Sequence, residues 1–363
     1  MRGIQVRPYG TLSTGQVVYE YTLDNGAGVS LSAINLGGIV TALRTPDRHG
    51  ASANLVLALP SLLDYETRNP HFGTIVGRYA NRIAQGRFTL GGERFQVALN
   101  DGDNTLHGGP LGFGKRWWAI TELPEVKDGS IAIRLTLVSE GGDQGYPGRL
   151  DVSVDYTLTP GNEWRIDYSA RCDRDTVVNL THHDYFNLAG SGSMLDHQLM
   201  IAASRYCTVD AGLIPQQIAP VEGTPFDLRQ AVAIGARIRD GNPQLVVAKG
   251  YDHNWVLADA SPAAVALPLQ RIAARLEDPG SGRVMEIFTT EPGLQFYSGN
   301  FLDGSLLSPS GTAYRQSDGL CLETQHFPNA PNRPDFPSTS LRAGDHYAST
   351  TVHRCGLSNT DLP

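Results

Sequence analysis

The chain has 363 residues, a net charge of −8 at neutral pH and a pI near 5.7, and it lacks the basic stripe that holds a polyanion, so nucleic acid is excluded as a partner. Hydrophobic residues make up 40% and charged residues 18%, which fits a sizeable core and not a disordered chain, while 40 glycines and 22 prolines imply many turns. Four well-separated cysteines (Cys172, Cys207, Cys321, Cys355) form no C-x-x-C pair, arguing against a zinc site and a disulfide framework; they read as reduced thiols in a cytoplasmic protein.

The first residues, Met1 to Pro8, lack the continuous apolar stretch of a signal peptide, and no later run reaches membrane-spanning length, so neither export nor a membrane partner is expected. Alternating or β-branched runs follow at 16–22, 28–34, 87–97, 131–139, 150–158, 164–170, 176–185 and 283–289. Clusters such as Asp24-Asn25-Gly26 and Leu90-Gly91-Gly92-Glu93 separate strands as hairpin connections do. Helical periodicity is confined to 61–67 and 228–238, each too short to provide a helical layer. No linker and no fixed-period repeat divides the chain. The pattern predicts a single domain over 1–363, all-β, built as a large antiparallel β-sandwich whose curved inner sheet carries a site.

The run at 176–185 leads into the densest chemistry, Thr181-His182-His183-Asp184-Tyr185-Phe186-Asn187-Leu188. In an extended chain successive side chains alternate faces, so Val177, Asn179, Thr181, His183 and Tyr185 line one side and Val178, Leu180, His182 and Asp184 the other. His182 and His183 therefore cannot both serve one site. Further polar-rich segments are Gly77–Ile83, Asn104–Gly109, Gly250–Trp255 and Leu322–Pro328. His107 is flanked by Leu106 and Gly108-Gly109, a tight turn where backbone can approach a ligand. Arg82 beside Asn81 offers planar donors plus an amide, whereas Arg78 and Arg87 read as solvated or paired. Glu323 shares a strand face with Cys321 and Gln325, opposite Leu320 and Leu322, and so faces a cleft. His182, His253 and His326 read as structural or supporting, and Trp117, Trp118, Tyr185, Phe186 and Trp255 as mostly core. A metal centre is disfavoured: there is no H-E-x-x-H, H-x-H or C-x-x-C.

These segments, together with Gly141–Gly148, Pro225-Phe226-Asp227 and Leu294–Asn300, occur in the order found in the aldose 1-epimerase (galactose mutarotase) family, which the chain resembles over nearly its whole length. The resemblance implies a β-sandwich enzyme without a cofactor that interconverts the α and β anomers of free aldoses. It places Glu323 on the family's general base, His183 on its general acid and His107 on the second histidine near the ring oxygen. Arg82, Asp252, Asn81 and Gln295 fall on residues that hold the sugar, although Asp252 by itself would also suit a turn cap after Gly250. Family members commonly carry Asn where this chain has His182, a departure expected to alter nearby sugar contacts. In such a reaction a base removes the proton of the anomeric hydroxyl while an acid protonates the ring oxygen. Rotation about C1–C2 then exposes the other aldehyde face and the roles reverse, so a carboxylate and a protonated histidine flanking the sugar suit it. Two other readings are a sugar-binding protein without turnover, which needs no such pair, and an enzyme for phosphorylated hexoses, which needs more basic residues around the cleft. The expected partner is a free monosaccharide; the preferred aldose and the oligomeric state stay open.

Overall fold

The computed structural model describes residues 2–124, 128–257, 269 and 271–358. Along Leu150–Leu158 every second side chain is buried, from Leu150 through Val154 to Leu158, because the apolar residues recur with the period of the pleat. The same period buries one face of Ile131–Ser139 and of Glu163–Cys172, and these strands pair antiparallel without a register shift. They form one side of a nine-stranded sheet that continues through His346–Leu357, Arg283–Thr289, Ile272–Glu277 and Gln198–Ile201 to Val232–Ala233.

A five-stranded sheet, ordered Pro215–Pro220, Arg205–Val209, Asp252–Val256, Gly293–Tyr297, Cys321–Gln325, supplies the other layer around the site. Ile133, Leu135, Val154 and Trp164 of the large sheet share one apolar cluster with Leu180, Trp255, Phe296 and Leu322. Another five strands, from Gly3–Thr11 to Ser52–Asn54, make an N-terminal meander. The all-β sandwich expected from the period-2 runs is the observed fold. No helix among the described residues is long and apolar enough to cross a membrane, and the four cysteines are buried and unbridged.

Three local expectations change. The run 87–97 is a hairpin of Arg87–Leu90 and Glu93–Gln96, turning at Gly91 and Gly92, both at positive φ, as the glycine pair suggested. The run 176–185 is not one strand: only Thr176–Val177 and Thr181–His183 are extended pairs, because the chain changes partner from Ser340–Leu341 to Thr74–Val76 between them. Asn179 covers the changeover, its amide bonding the backbone of His326 through both Oδ1 (3.0 Å) and Nδ2 (3.2 Å). The helix predicted at 61–67 forms as Leu62–Arg68, with the Ser61 hydroxyl accepting from the Asp64 N–H. The one predicted at 228–238 does not form. Val232–Ala233 joins the edge of the large sheet and a 3-10 turn, Ile234–Ala236, follows, since the N–H groups of Ile234 and Gly235 donate to the carbonyls of His197 and Leu195. The second helix is instead Pro243–Ala248, capped by Asn242, too short to show a period in sequence.

Candidate active site

The register of the five-stranded sheet decides which side chains meet. Gln295 lies opposite both Asn254 and Glu323, and Tyr297 opposite both Asp252 and Cys321. Opposed residues share a face, so Asp252, Gln295, Tyr297, Cys321 and Glu323 stand together, while Trp255, Leu294, Phe296 and Leu322 go into the core on the other side. Strand Thr181–His183 lies along this face, with the Thr181 hydroxyl donating to the Thr324 carbonyl at 2.8 Å. That places His183 Nε2 3.7 Å from Glu323 Oε1, with His183 Nδ1 3.5 Å from Cys321 Sγ.

The third contribution comes from the paired segments Arg82–Ile83 and Thr105–Leu106. Asn81 precedes the first and His107 follows the second, both at positive φ, 61° and 50°, and they bond each other twice: His107 N–H donates to the Asn81 carbonyl (3.1 Å), and Asn81 N–H donates to His107 Nδ1 (3.2 Å). Because Nδ1 accepts, the neutral ring carries its proton on Nε2. Gly108 makes this possible, since a Cβ there would sit 2.0 Å from the Gly77 carbonyl oxygen. The rings of His107 and His183 meet edge-on with centroids 5.0 Å apart.

Electrostatics follow from burial. Glu323 is 2% exposed and its Oε2 has no protein partner. Desolvation first, and the charge of Asp252 second, raise its pKa well above the usual glutamate value, against the pull of Arg82. Asp252 is raised by the same burial, opposed by Arg82 and by Gln295 Nε2, which donates to Asp252 Oδ1 at 2.6 Å. Arg82 is itself paired, its Nε donating to Asp101 Oδ2 at 2.7 Å with the side chain 10% exposed, so the ion-pair reading and a role in the cleft coexist. His107 and His183 are both held well below the usual imidazole value, mainly by burial and then by a neighbouring histidine, His71.

Both shifts run toward a neutral imidazole and a neutral carboxyl, away from the expected imidazolium and carboxylate. The two arrangements hold the same number of protons and differ in where the proton rests. His183 and Glu323 stand side by side on neighbouring strands.

The structure brings together Glu323, His183, His107, Arg82, Asp252 and Gln295; Asn81 adjoins them, with Oδ1 engaged by the Arg82 N–H at 2.9 Å. Asp252 begins a strand and caps no turn. His182 does not touch the cleft. Its Nε2 meets the Tyr156 hydroxyl (2.8 Å), its Nδ1 meets Asp184 (2.6 Å), and its ring packs edge-on against Trp164, so the histidine at this position serves the core. His253 packs on Phe226, and His326 pairs with Glu291 at 2.6 Å. Arg78 is neither solvated nor ion-paired: it is 2% exposed and donates to the carbonyls of Ser139, Pro147 and Gly148, tying down the glycine-rich loop.

The sequence reading missed His71, whose ring lies 4.7 Å from that of His107 and 5.6 Å from that of His183. The available signal was a histidine between Pro70 and Phe72-Gly73, outside any periodic run. The spacing argument against a metal saw only ligands close in sequence. His107, His183 and Glu323, drawn from distant segments, place donor atoms within 4.8 Å of one another, near enough to ligate a divalent ion.

Comparison with known proteins bears on this arrangement. A family model described as aldose 1-epimerase matches residues 19–354. The chain is 43% identical over 346 residues to a galactose mutarotase of Mus musculus, covering 94% of this chain and 96% of that one. It is 38% identical, with the same coverage, to an aldose 1-epimerase of Escherichia coli K12. Among solved structures, galactose 1-epimerase from Lactobacillus acidophilus superposes with a TM-score of 0.85 at 27% identity, covering 99% of this chain and all of the other. An aldose epimerase homologue from C. elegans gives 0.83 at 28% identity, covering 93% and 98%. The matching family model spans both the histidine strand and the glutamate strand, and the chain belongs to the aldose 1-epimerase family.

Proposed function

We propose that this aldose 1-epimerase interconverts the α and β anomers of free aldoses with Glu323 as general base and His183 as general acid. The observation that supports the assignment is the 3.7 Å approach of His183 Nε2 to Glu323 Oε1 in a buried pocket. The anomeric hydroxyl and the ring oxygen are bonded to one tetrahedral carbon, so the groups that exchange protons with them must be neighbours. Glu323 takes the proton of the anomeric hydroxyl; the O–H electrons form the C1=O bond as the C1–O5 bond breaks, and His183 protonates O5. After rotation about C1–C2 the steps reverse on the other carbonyl face.

The reaction requires the proton of the pair on His183. Sugar hydroxyls donating to the unpartnered Glu323 Oε2, with Arg82 nearby, stabilise the carboxylate and favour that arrangement. His107, with Nε2–H directed away from the Asn81 backbone, adds a donor beside the ring oxygen. Arg82, Asp252, Gln295 and Asn81 hold the remaining hydroxyls.

Polarimetry on freshly dissolved α-D-glucose and α-D-galactose tests the assignment. The wild-type chain accelerates the approach to anomeric equilibrium, and Glu323→Gln loses about 10²–10⁴-fold in kcat, the usual contribution of such a group. Full activity in that variant would remove Glu323 from the mechanism.

A further inference from the structure

His71 is a third imidazole in the cleft and the mechanism leaves it unused. Its backbone adopts φ 75°, uncommon for a residue with a Cβ. The turn is pinned: the His71 carbonyl accepts from Thr74 N–H (3.2 Å) and Thr74 Oγ1 (3.1 Å), and Gly73 N–H donates to the His183 carbonyl (3.0 Å). At Gly73 itself, a Cβ would lie 2.3 Å from the Val40 carbonyl oxygen. Conformations of this kind persist where the surroundings enforce them, often at functional sites. The half-buried ring sits against His107 and His183, and no described residue hydrogen-bonds either of its nitrogens. Burial, and then Lys115, lower its pKa to about 4, so at working pH it is neutral, with one nitrogen donating and the other accepting.

The position of His71 relative to the reacting atoms follows from its neighbours. Its ring centroid lies 4.7 Å from that of His107 and 5.6 Å from that of His183, and it is His183 Nε2 that approaches Glu323 Oε1, at 3.7 Å. His71 thus lies on the histidine side of the cleft. With His183 serving the ring oxygen and Glu323 the anomeric hydroxyl, the histidine side faces the next ring atom beyond the oxygen, C5, and its substituent.

We propose that His71 hydrogen-bonds the C6 hydroxyl of the bound aldose and so makes the enzyme favour hexoses over pentoses and 6-deoxyhexoses. The proposal rests on the assignment of His183 to the ring oxygen. It is tested by kcat/KM from polarimetry on D-glucose against D-xylose, which lacks the hydroxymethyl group, and on D-galactose against D-fucose, which lacks only the hydroxyl. His71→Phe keeps an aromatic ring against both histidines and removes the polar nitrogens; His71→Asn suits the positive φ but is too short to reach the hydroxyl.

In either variant the hexose loses about tenfold in kcat/KM, the worth of one neutral hydrogen bond, while D-xylose and D-fucose change less than about twofold, so both ratios collapse. An equal loss on all four sugars, or unchanged ratios, overturns the role of His71 and leaves the epimerase reading intact. A wild-type chain that accelerates none of the four overturns both.

Discussion

Glu323 is pulled two ways: burial and Asp252 favour its acid form, and Arg82 favours the carboxylate. A general base works only when deprotonated, so activity falls as pH drops through its folded-state pKa. Since that value is raised, the acid limb of log kcat/KM lies above 4.5, the ordinary glutamate value. Asp252→Asn removes the nearby negative charge, lowers the Glu323 pKa and moves the limb to lower pH, besides raising KM through the lost sugar contact. Steady-state polarimetry across pH checks both; a limb at the ordinary value, or one that Asp252→Asn leaves in place, contradicts the coupling. The face of Glu323 was legible in sequence from Leu320 and Leu322, which precede it on the alternate side of the strand. Its raised pKa was not, because Asp252 and Arg82 reach it only through the folded sheet.

At the scale of the element, strand Cys321–Gln325 separates chemistry from stability by parity. Leu322 is 3% exposed within the main core, and its neighbour Glu323 faces the cleft. Leu322→Ala leaves a cavity and costs about 2–5 kcal/mol, read as a lower midpoint in urea. Gln295→Ala, on the cleft face of the adjoining strand, frees Asp252 from its 2.6 Å bond and raises KM by more than it lowers the midpoint. Parity was readable from alternation alone for Glu323 and for His183 against His182. It failed to delimit strand 176–185, where Asn179 lets the backbone switch partners, a tertiary event with no local period. It also gave no warning at 228–238, where pairing to a sheet edge prevails over a weak helical pattern.

For the molecule as a whole, the interior histidines set the response to acid. Burial is the first cause in lowering the pKa of His71, His107, His183, His197, His253 and His353, to about 3 for the last two. A histidine depressed on folding binds its proton in the unfolded chain first, so stability is lost as pH falls below the unfolded value of 6.5 toward the folded one. Glu323 and Asp252, raised on folding, work in the opposite sense, since the folded state takes up their protons at higher pH and gains stability as pH falls toward the unfolded carboxyl values. His326, raised by its pairing with Glu291, likewise contributes stability below 6.5 that is lost as pH rises through its folded value. Across this window the six depressed histidines work against Glu323, Asp252 and His326. The melting temperature is expected to decline steadily from pH 6.5 toward pH 4, measured by calorimetry without sugar; a flat profile over that window would show that these rings titrate normally.

The sequence by itself determined the all-β class and most strand faces, because period-2 alternation is a local property of a chain, and its resemblance to a family singled out Glu323, His183 and His107 as candidates. Tertiary structure decided the rest. Residues 71, 107, 183 and 323 come from four separate segments, and only sheet register and backbone crossings bring their side chains to within a few ångströms. The same packing buries both adjacent histidines and gives them different partners: His183 meets Glu323, and His182 is held by Tyr156 and Asp184. Proximity and desolvation are properties of the assembled fold, so the directions of the His183 and Glu323 pKa shifts and the place of His71 beside them were fixed there.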